Sequence, residues 1–127
     1  MFKELDPLLH SQLRLAIMSI LLSVEEAEFV YIKEKTSATA GNLSVQLDKL
    51  NEAGYIEIEK GFAGKKPRTV CRITDKGRLA MEEYVNTLRQ YFHIYNLSFY
   101  LYLFYYSLDF LYLYMVPFFL LILVLEI

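Results

Sequence analysis

From Thr39 to Ile56 the apolar positions first keep a helical period and then change to that of a strand. Leu43, Leu47 and Leu50 recur at i, i+4 and i+7, one stripe of a helix facing a core. Thr39 offers a hydroxyl where a helix needs an N-cap, and Gly54 stands where its C-terminus needs a left-handed residue. Tyr55-Ile56-Glu57-Ile58-Glu59 then alternates as a half-buried strand does. Upstream, Asp6-Pro7 predicts the start of a first helix running to about Ser23, with Asp6 as cap and Pro7 at the first helical position. That helix is apolar on two sides: Leu9, Leu13, Ala16/Ile17 and Ile20 on one, Leu8, Leu15, Met18 and Leu22 on the other. A second stripe needs a second cover, either the interior of a buried central helix or another copy of the chain. Ser23-x-x-Glu26 reads as a capping box, and Phe29 and Ile32 give a short helix over about Ala27–Lys35. Thr36-Ser37-Ala38 is then a tight turn, so the helices on either side form a helix-turn-helix.

Beyond the strand, the two glycines of Gly61-Phe62-Ala63-Gly64 permit a reversal, and Pro67 opens a returning strand. On that strand Thr69, Cys71 and Ile73 point one way, Val70 and Arg72 the other. Thr74 caps a last helix whose apolar side is Ala80/Met81, Tyr84, Leu88 and Tyr91.

Charge changes this picture more than composition does. Residues 1–93 carry all 13 Lys and Arg and 13 of the 15 Asp and Glu, whereas 94–127 carry only Asp109 and Glu126. The polar part is therefore neutral, and clustering of bases decides whether it can meet a polyanion. Lys60, Lys65, Lys66, Arg68 and Arg72 lie on one hairpin with Phe62 at its tip, which is read as a phosphate clamp in preference to a solvated turn. The exposed positions of the Leu43 helix (Thr39, Asn42, Ser44, Gln46, Lys49) hold no run of acids and offer amides and hydroxyls to base edges.

Other chemistry is thin. The single Cys71 excludes an internal disulfide and is read as core beside Ile73. His10 and His93 have no ligand-spaced neighbours, and no nucleophile triad or phosphate-binding glycine loop is present. Neither an enzyme nor a cofactor or metal is expected. No basic-then-apolar leader is visible at Met1–Asp6, and a cytoplasmic location is expected.

The segments LHSQLRLAIMSILL, TAGNLSVQLDKLNEAGYIEIEK and GKKPRTVCRITDKG resemble small bacterial winged-helix transcriptional regulators of the MarR/ArsR-like group, over about Leu5 to Phe92. The resemblance implies a mainly α winged helix-turn-helix with a small β-hairpin wing, binding double-stranded DNA as a homodimer through the first and C-terminal helices. It puts Thr39, Asn42, Ser44, Val45, Gln46 and Lys49 near the major groove, with Lys65, Lys66 and Arg68 on the backbone or in the minor groove. Val45 departs from the polar or basic residue usual in related helices, which implies either apolar contact with a thymine methyl or a weaker specific site. A winged helix used only to bind other proteins is the alternative.

Residues 94–127 lie outside that resemblance, so a domain at 1–93 is expected to precede a hydrophobic helical tail at 94–127. Leu97–Leu125 is a 29-residue apolar stretch, long enough to cross a bilayer. The absence of Lys and Arg after Arg89 would leave the domain cytoplasmic, as part of an inner-membrane-anchored regulator. Asp109 and the spread of tyrosines count against a simple span. Two further readings stand: a dimerisation helix or helix pair against the second stripe of the first helix, or an aberrant extension whose Phe, Tyr, Leu, Ile and Asn follow AT-rich triplets.

Overall fold

The computed structural model describes residues 2–126, with the side chains of all but residues 93–98. In chain order the elements are α1 (Gln12–Leu22), β1 (Ala27–Glu28), α2 (Phe29–Thr36), α3 (Ala40–Glu52), β2 (Ile56–Ala63), β3 (Lys66–Ile73), α4 (Asp75–Tyr91) and α5 (His93–Leu125). The fold is mostly helical, with a three-stranded antiparallel sheet ordered β1-β3-β2 and an apolar C-terminal helix.

α1 is the axis of the core. Ile17, Met18 and Leu21 are fully buried, and the helix packs against α2, α3 and β3. Its second stripe therefore divides: Met18 faces the interior, Leu15 packs at its margin and Leu22 stays exposed. The expected start at Asp6 is not where α1 begins. The Asp6 carbonyl accepts from His10 N (2.8 Å) and its carboxylate from Leu8 N (2.9 Å), closing a separate turn. The backbone then extends at Ser11, and the helix starts at Gln12.

Ser23-x-x-Glu26 is not a capping box. Ser23 closes α1, its hydroxyl donating to Ile20 O (2.7 Å), and Ala27–Glu28 pair with Cys71 and Val70 as an outer strand. A two-residue strand has no period to read, so the sequence pattern merges it with the helix that follows. α2 then starts at Phe29 and buries Ile32.

The turn before α3 is as expected, with Ser37 left-handed (φ 55°) and Thr39 Oγ1 accepting from Asn42 N (3.2 Å). Leu43, Leu47 and Leu50 are all buried. At the far end, Gly54 (φ +78°) donates to Asn51 O and Tyr55 N to Leu50 O, the paired bonds of a Schellman stop.

β2 and β3 pair from Ile56↔Ile73 to Ala63↔Lys66. Gly64 (φ +66°) makes the reversal with Lys65, while Gly61 stays in the ladder opposite Arg68 and takes no part in it. β3 is the central strand, and Val70 and Cys71 are both buried although they point to opposite faces, Cys71 into the core.

The chain divides between Leu88 and Arg89 into two compact units. In the second, α5 is one unbroken helix through Pro117, not a helix pair, and its described hydrophobic side chains are all exposed.

Candidate nucleic-acid interface

The exposed face of α3 is not uniform along its length. Thr39, Asn42, Ser44 and Val45, at the N-terminal end, are exposed and uncharged, and Val45 is 50 % accessible. Asp48 and Glu52, together with Lys49, follow on the C-terminal half. The positive end of the helix dipole therefore coincides with the acid-free end, the end a phosphate-bordered groove admits more readily.

Gln46 is half-buried and already partnered. Arg14 of α1 donates from Nη1 to Gln46 Oε1 (2.5 Å) and from Nε to Leu8 O (2.5 Å). Gln46 Nε2 in turn donates to Asn42 Oδ1 (3.1 Å). This relay fixes the Asn42 side chain and leaves its NH2 for an outside acceptor. The sequence reading missed Arg14, since a lone base amid the apolar residues of α1 gives no sign of reaching a residue of α3.

The wing differs more from expectation. Cross-strand register puts Glu57, Glu59 and Gly61 on the same face as Arg72, Val70 and Arg68, and β1 adds Glu28 beside Val70. Arg72 donates to Glu59 (2.7 Å) and Glu26 (2.6 Å). Arg68 donates to Glu28 (2.9 Å) and lies 3.8 Å from Glu26. The two guanidinium groups and three carboxylates form a paired layer on the face that holds Val70, which is only 6 % exposed. Pairing with Glu59 and Glu26 pushes Arg72 further above its ordinary value.

Two of the five bases are thus neutralised within the fold, and the positive sign of the hairpin is not uninterrupted in space. Lys60, Lys65 and Lys66 are exposed, and no ion pair involves them among the described residues. Phe62, near the tip, is 75 % exposed.

The corner after α3 is locked from α4. Thr74 donates through Oγ1 to Gly54 O (2.6 Å) and through its amide to Tyr55 O (3.0 Å). It also caps α4 by accepting from Gly77 N (3.0 Å). Lys76 Nζ donates to Ala53 O (2.8 Å) and sits 5.8 Å from the centre of the Tyr55 ring. The Tyr55 hydroxyl donates to Asp6 (2.6 Å), and burial, then this bond and the charges of Asp6 and Glu83, push it up to about 12. Ala-Gly-Tyr and Thr-x-Lys-Gly are therefore two halves of one joint, setting the angle at which α3 leaves the sheet.

Residues 13–92 match the winged helix DNA-binding domain family. The chain belongs to that family. The winged-helix chain is 38 % identical over 81 residues to an uncharacterized protein of Methanocaldococcus jannaschii, a match covering 64 % of this chain and 88 % of that one. It is 31 % identical to the transcriptional regulator homologue of Pyrococcus horikoshii, with a TM-score of 0.63 over 68 % of this chain and 85 % of that one. Two bacterial structures share the fold. A MarR variant of E. coli complexed with operator DNA has 21 % identity and a TM-score of 0.58, over 68 % of this chain and 61 % of that one. PadR of Bacillus subtilis with operator DNA has 20 % identity and a TM-score of 0.53, over 59 % of this chain and 48 % of that one.

Among the described residues no cluster of His, Cys, Asp and Glu is arranged to hold a metal. His10 Nδ1 lies 3.1 Å from the Tyr84 hydroxyl, and the His93 side chain is outside the described residues. Burial pushes the Cys71 thiol up to about 11, away from the thiolate a reactive cysteine needs.

Proposed function

We propose that this winged helix is a sequence-specific DNA-binding transcriptional regulator. The N-terminal half of α3 enters the major groove, with Thr39, Asn42, Ser44 and Val45 at base edges, Gln46 holding Asn42 in place behind them and Lys49 at the flanking phosphate. Lys65 and Lys66 hold the backbone beside the groove, with Lys60 added to them. Arg68 joins only by exchanging Glu28 and Glu26 for a phosphate. The reading rests chiefly on one observation: α3 buries its three leucines and exposes an acid-free N-terminal end. The Bacillus subtilis PadR and E. coli MarR structures, both solved with operator DNA, support it by likeness of fold.

Binding of the full chain to duplexes over a range of salt tests this assignment. Lys65→Ala with Lys66→Ala should lower the slope of log affinity against log salt by about 0.9 per lost phosphate contact. Asn42→Ala should instead narrow the gap between target and random duplex by about 1–3 kcal/mol. Equal affinity of the unaltered chain for every duplex would remove the sequence-specific reading, and a wing-neutralised chain with intact regulation would favour a protein-binding module.

α5 adds a second element. Phe99–Leu125 is 27 residues long, its most apolar 18-residue window has a mean hydropathy of 2.3, and none of that window is buried. At 1.5 Å per residue it spans about 40 Å, more than the roughly 30 Å hydrocarbon core of a bilayer. No Lys or Arg follows Arg89, so the domain stays on the cytoplasmic side in this reading. The regulator is accordingly membrane-tethered, and sedimentation of the full chain with vesicles is the direct check.

A further inference from the structure

The N-terminal segment, the residue that follows the Gly54 stop and one face of α4 line a cavity of about 380 Å³. Along α4 its wall is Ala80, Glu83, Tyr84 and Thr87, at intervals of three, one and three residues, which is a single helical face. Three residues of the lining, Glu4, Asp6 and Glu83, are acids and none is a base. The acids come from both the N-terminal segment and α4. The charges of Asp6 and Glu83 both act on the Tyr55 hydroxyl, which donates to Asp6. Thr87 is the group that the fold leaves unexplained. It is only 4 % exposed, yet its side chain makes no hydrogen bond among the described residues. Among those residues no side-chain oxygen is sealed away without a partner, so the Thr87 hydroxyl opens into the cavity. The two tyrosine hydroxyls of the lining are engaged, that of Tyr55 by Asp6 and that of Tyr84 by His10.

We propose that this cavity binds a small organic cation, an ammonium group carried on a compact apolar or aromatic body. The sign follows from the lining: three carboxylates receive an ammonium and repel an anion, with no base to offset them. A metal ion needs ligands that converge, and among the described residues no three of His, Cys, Asp and Glu do so. Carboxylates spread in this way suit a charge borne on an organic body. That body lies on Leu5, Pro7 and Ala80 and against the Tyr84 ring, whose face also favours a cation. Thr87 supplies the neutral polar contact, its hydroxyl accepting from the ammonium or bonding a hydroxyl of the ligand. The chain already holds one guest of this chemistry. Lys3 donates its ammonium to Glu83, and both side chains are exposed, so the pair is cheap to exchange for an incoming amine. Nothing in this site depends on DNA.

The test is calorimetric titration of the full chain, held in a non-ionic detergent, with phenethylamine as the probe and detergent alone as the blank. Phenylacetate and 2-phenylethanol present the same aromatic body with a negative charge and with none. Phenethylamine should bind saturably at one site per chain, and each analogue more weakly by about tenfold or more. Glu83→Gln should weaken the amine by about tenfold. Thr87→Val keeps the shape and removes the hydroxyl, and should weaken it by about fivefold. Lys3→Ala should instead tighten binding by about threefold, because the amine no longer competes with an internal ammonium. A gain of this kind cannot come from misfolding. Equal affinity for the three probes, binding that Glu83→Gln or Thr87→Val leaves unchanged, or no saturable binding of phenethylamine would overturn the site. Each of those results leaves the DNA-binding assignment where it stands, since the titrations contain no duplex.

Discussion

Gly77 occupies the tightest point of the joint between α4 and the sheet. A Cβ built there would lie 2.1 Å from Tyr55 O and 3.0 Å from Ile73, and the first of these is backbone that cannot step aside. Gly77→Ala should therefore destabilise the domain by about 2 kcal/mol, as overpacked sites do, and lower the urea midpoint accordingly. An unchanged midpoint would mean that α4 shifts freely. Thr74→Ala removes an N-cap and the bond to Gly54 O together, and a loss of about 1–2 kcal/mol in the same measurement is expected. Two further residues set an alkaline limit. Both Cys71 and Tyr55 have their ordinary values raised in the fold, so the neutral forms are the ones the native state favours. The stability they add is complete at neutral pH. It is lost as pH rises from 9 to about 11 for Cys71 and from 10 to about 12 for Tyr55. Tyr55→Phe should flatten the upper part of a plot of stability against pH, and Cys71→Ala the lower part. The residue types of this joint were legible in the sequence, because Thr74 and Gly54 carry local signals. Their shared purpose was not, because the atoms they bind lie about twenty residues away.

At the scale of elements, legibility followed how local the cause was. α3 was readable from end to end, since its cap, its leucine stripe and its glycine stop are all short-range features. β1 was not, because only pairing with Val70 and Cys71 makes Ala27–Glu28 a strand. The same strand misled the reading of the wing: Glu26 and Glu28 come from far upstream to neutralise Arg68 and Arg72. These pairs are partly exposed and screened by solvent, so each is worth little in stability. Their effect on binding is larger in kind. Glu28→Gln should release Arg68 toward DNA and steepen the salt dependence of binding, whereas Arg68→Ala should weaken binding less than Lys66→Ala does. Salt titrations of these three variants against one duplex decide the matter, and equal losses for Arg68 and Lys66 would mean that the carboxylates yield Arg68 at no cost.

Over the whole molecule, one chain carries two unlike distributions of apolar groups. Up to Leu88 most large apolar groups turn inward around α1, and Lys, Arg, Asp and Glu in nearly equal numbers face water. From Phe99 onward the apolar groups turn outward along their full length. The sequence made this change plain through hydropathy and the loss of bases. It did not reveal that α5 is a single helix through Pro117, since proline ordinarily breaks a helix in water and is tolerated in lipid.

Asp48 and Glu52 carry a consequence for how much sequence such a protein can read. On the proposed DNA-binding reading, two carboxylates behind Val45 would repel the phosphates that line a groove, leaving the tip of the helix as the part that enters. A reading head one or two turns long touches only a few base pairs. One copy would therefore match a genome at very many places. On that reading, useful selectivity would have to come from multiplication, two heads held at a fixed separation on one stretch of duplex.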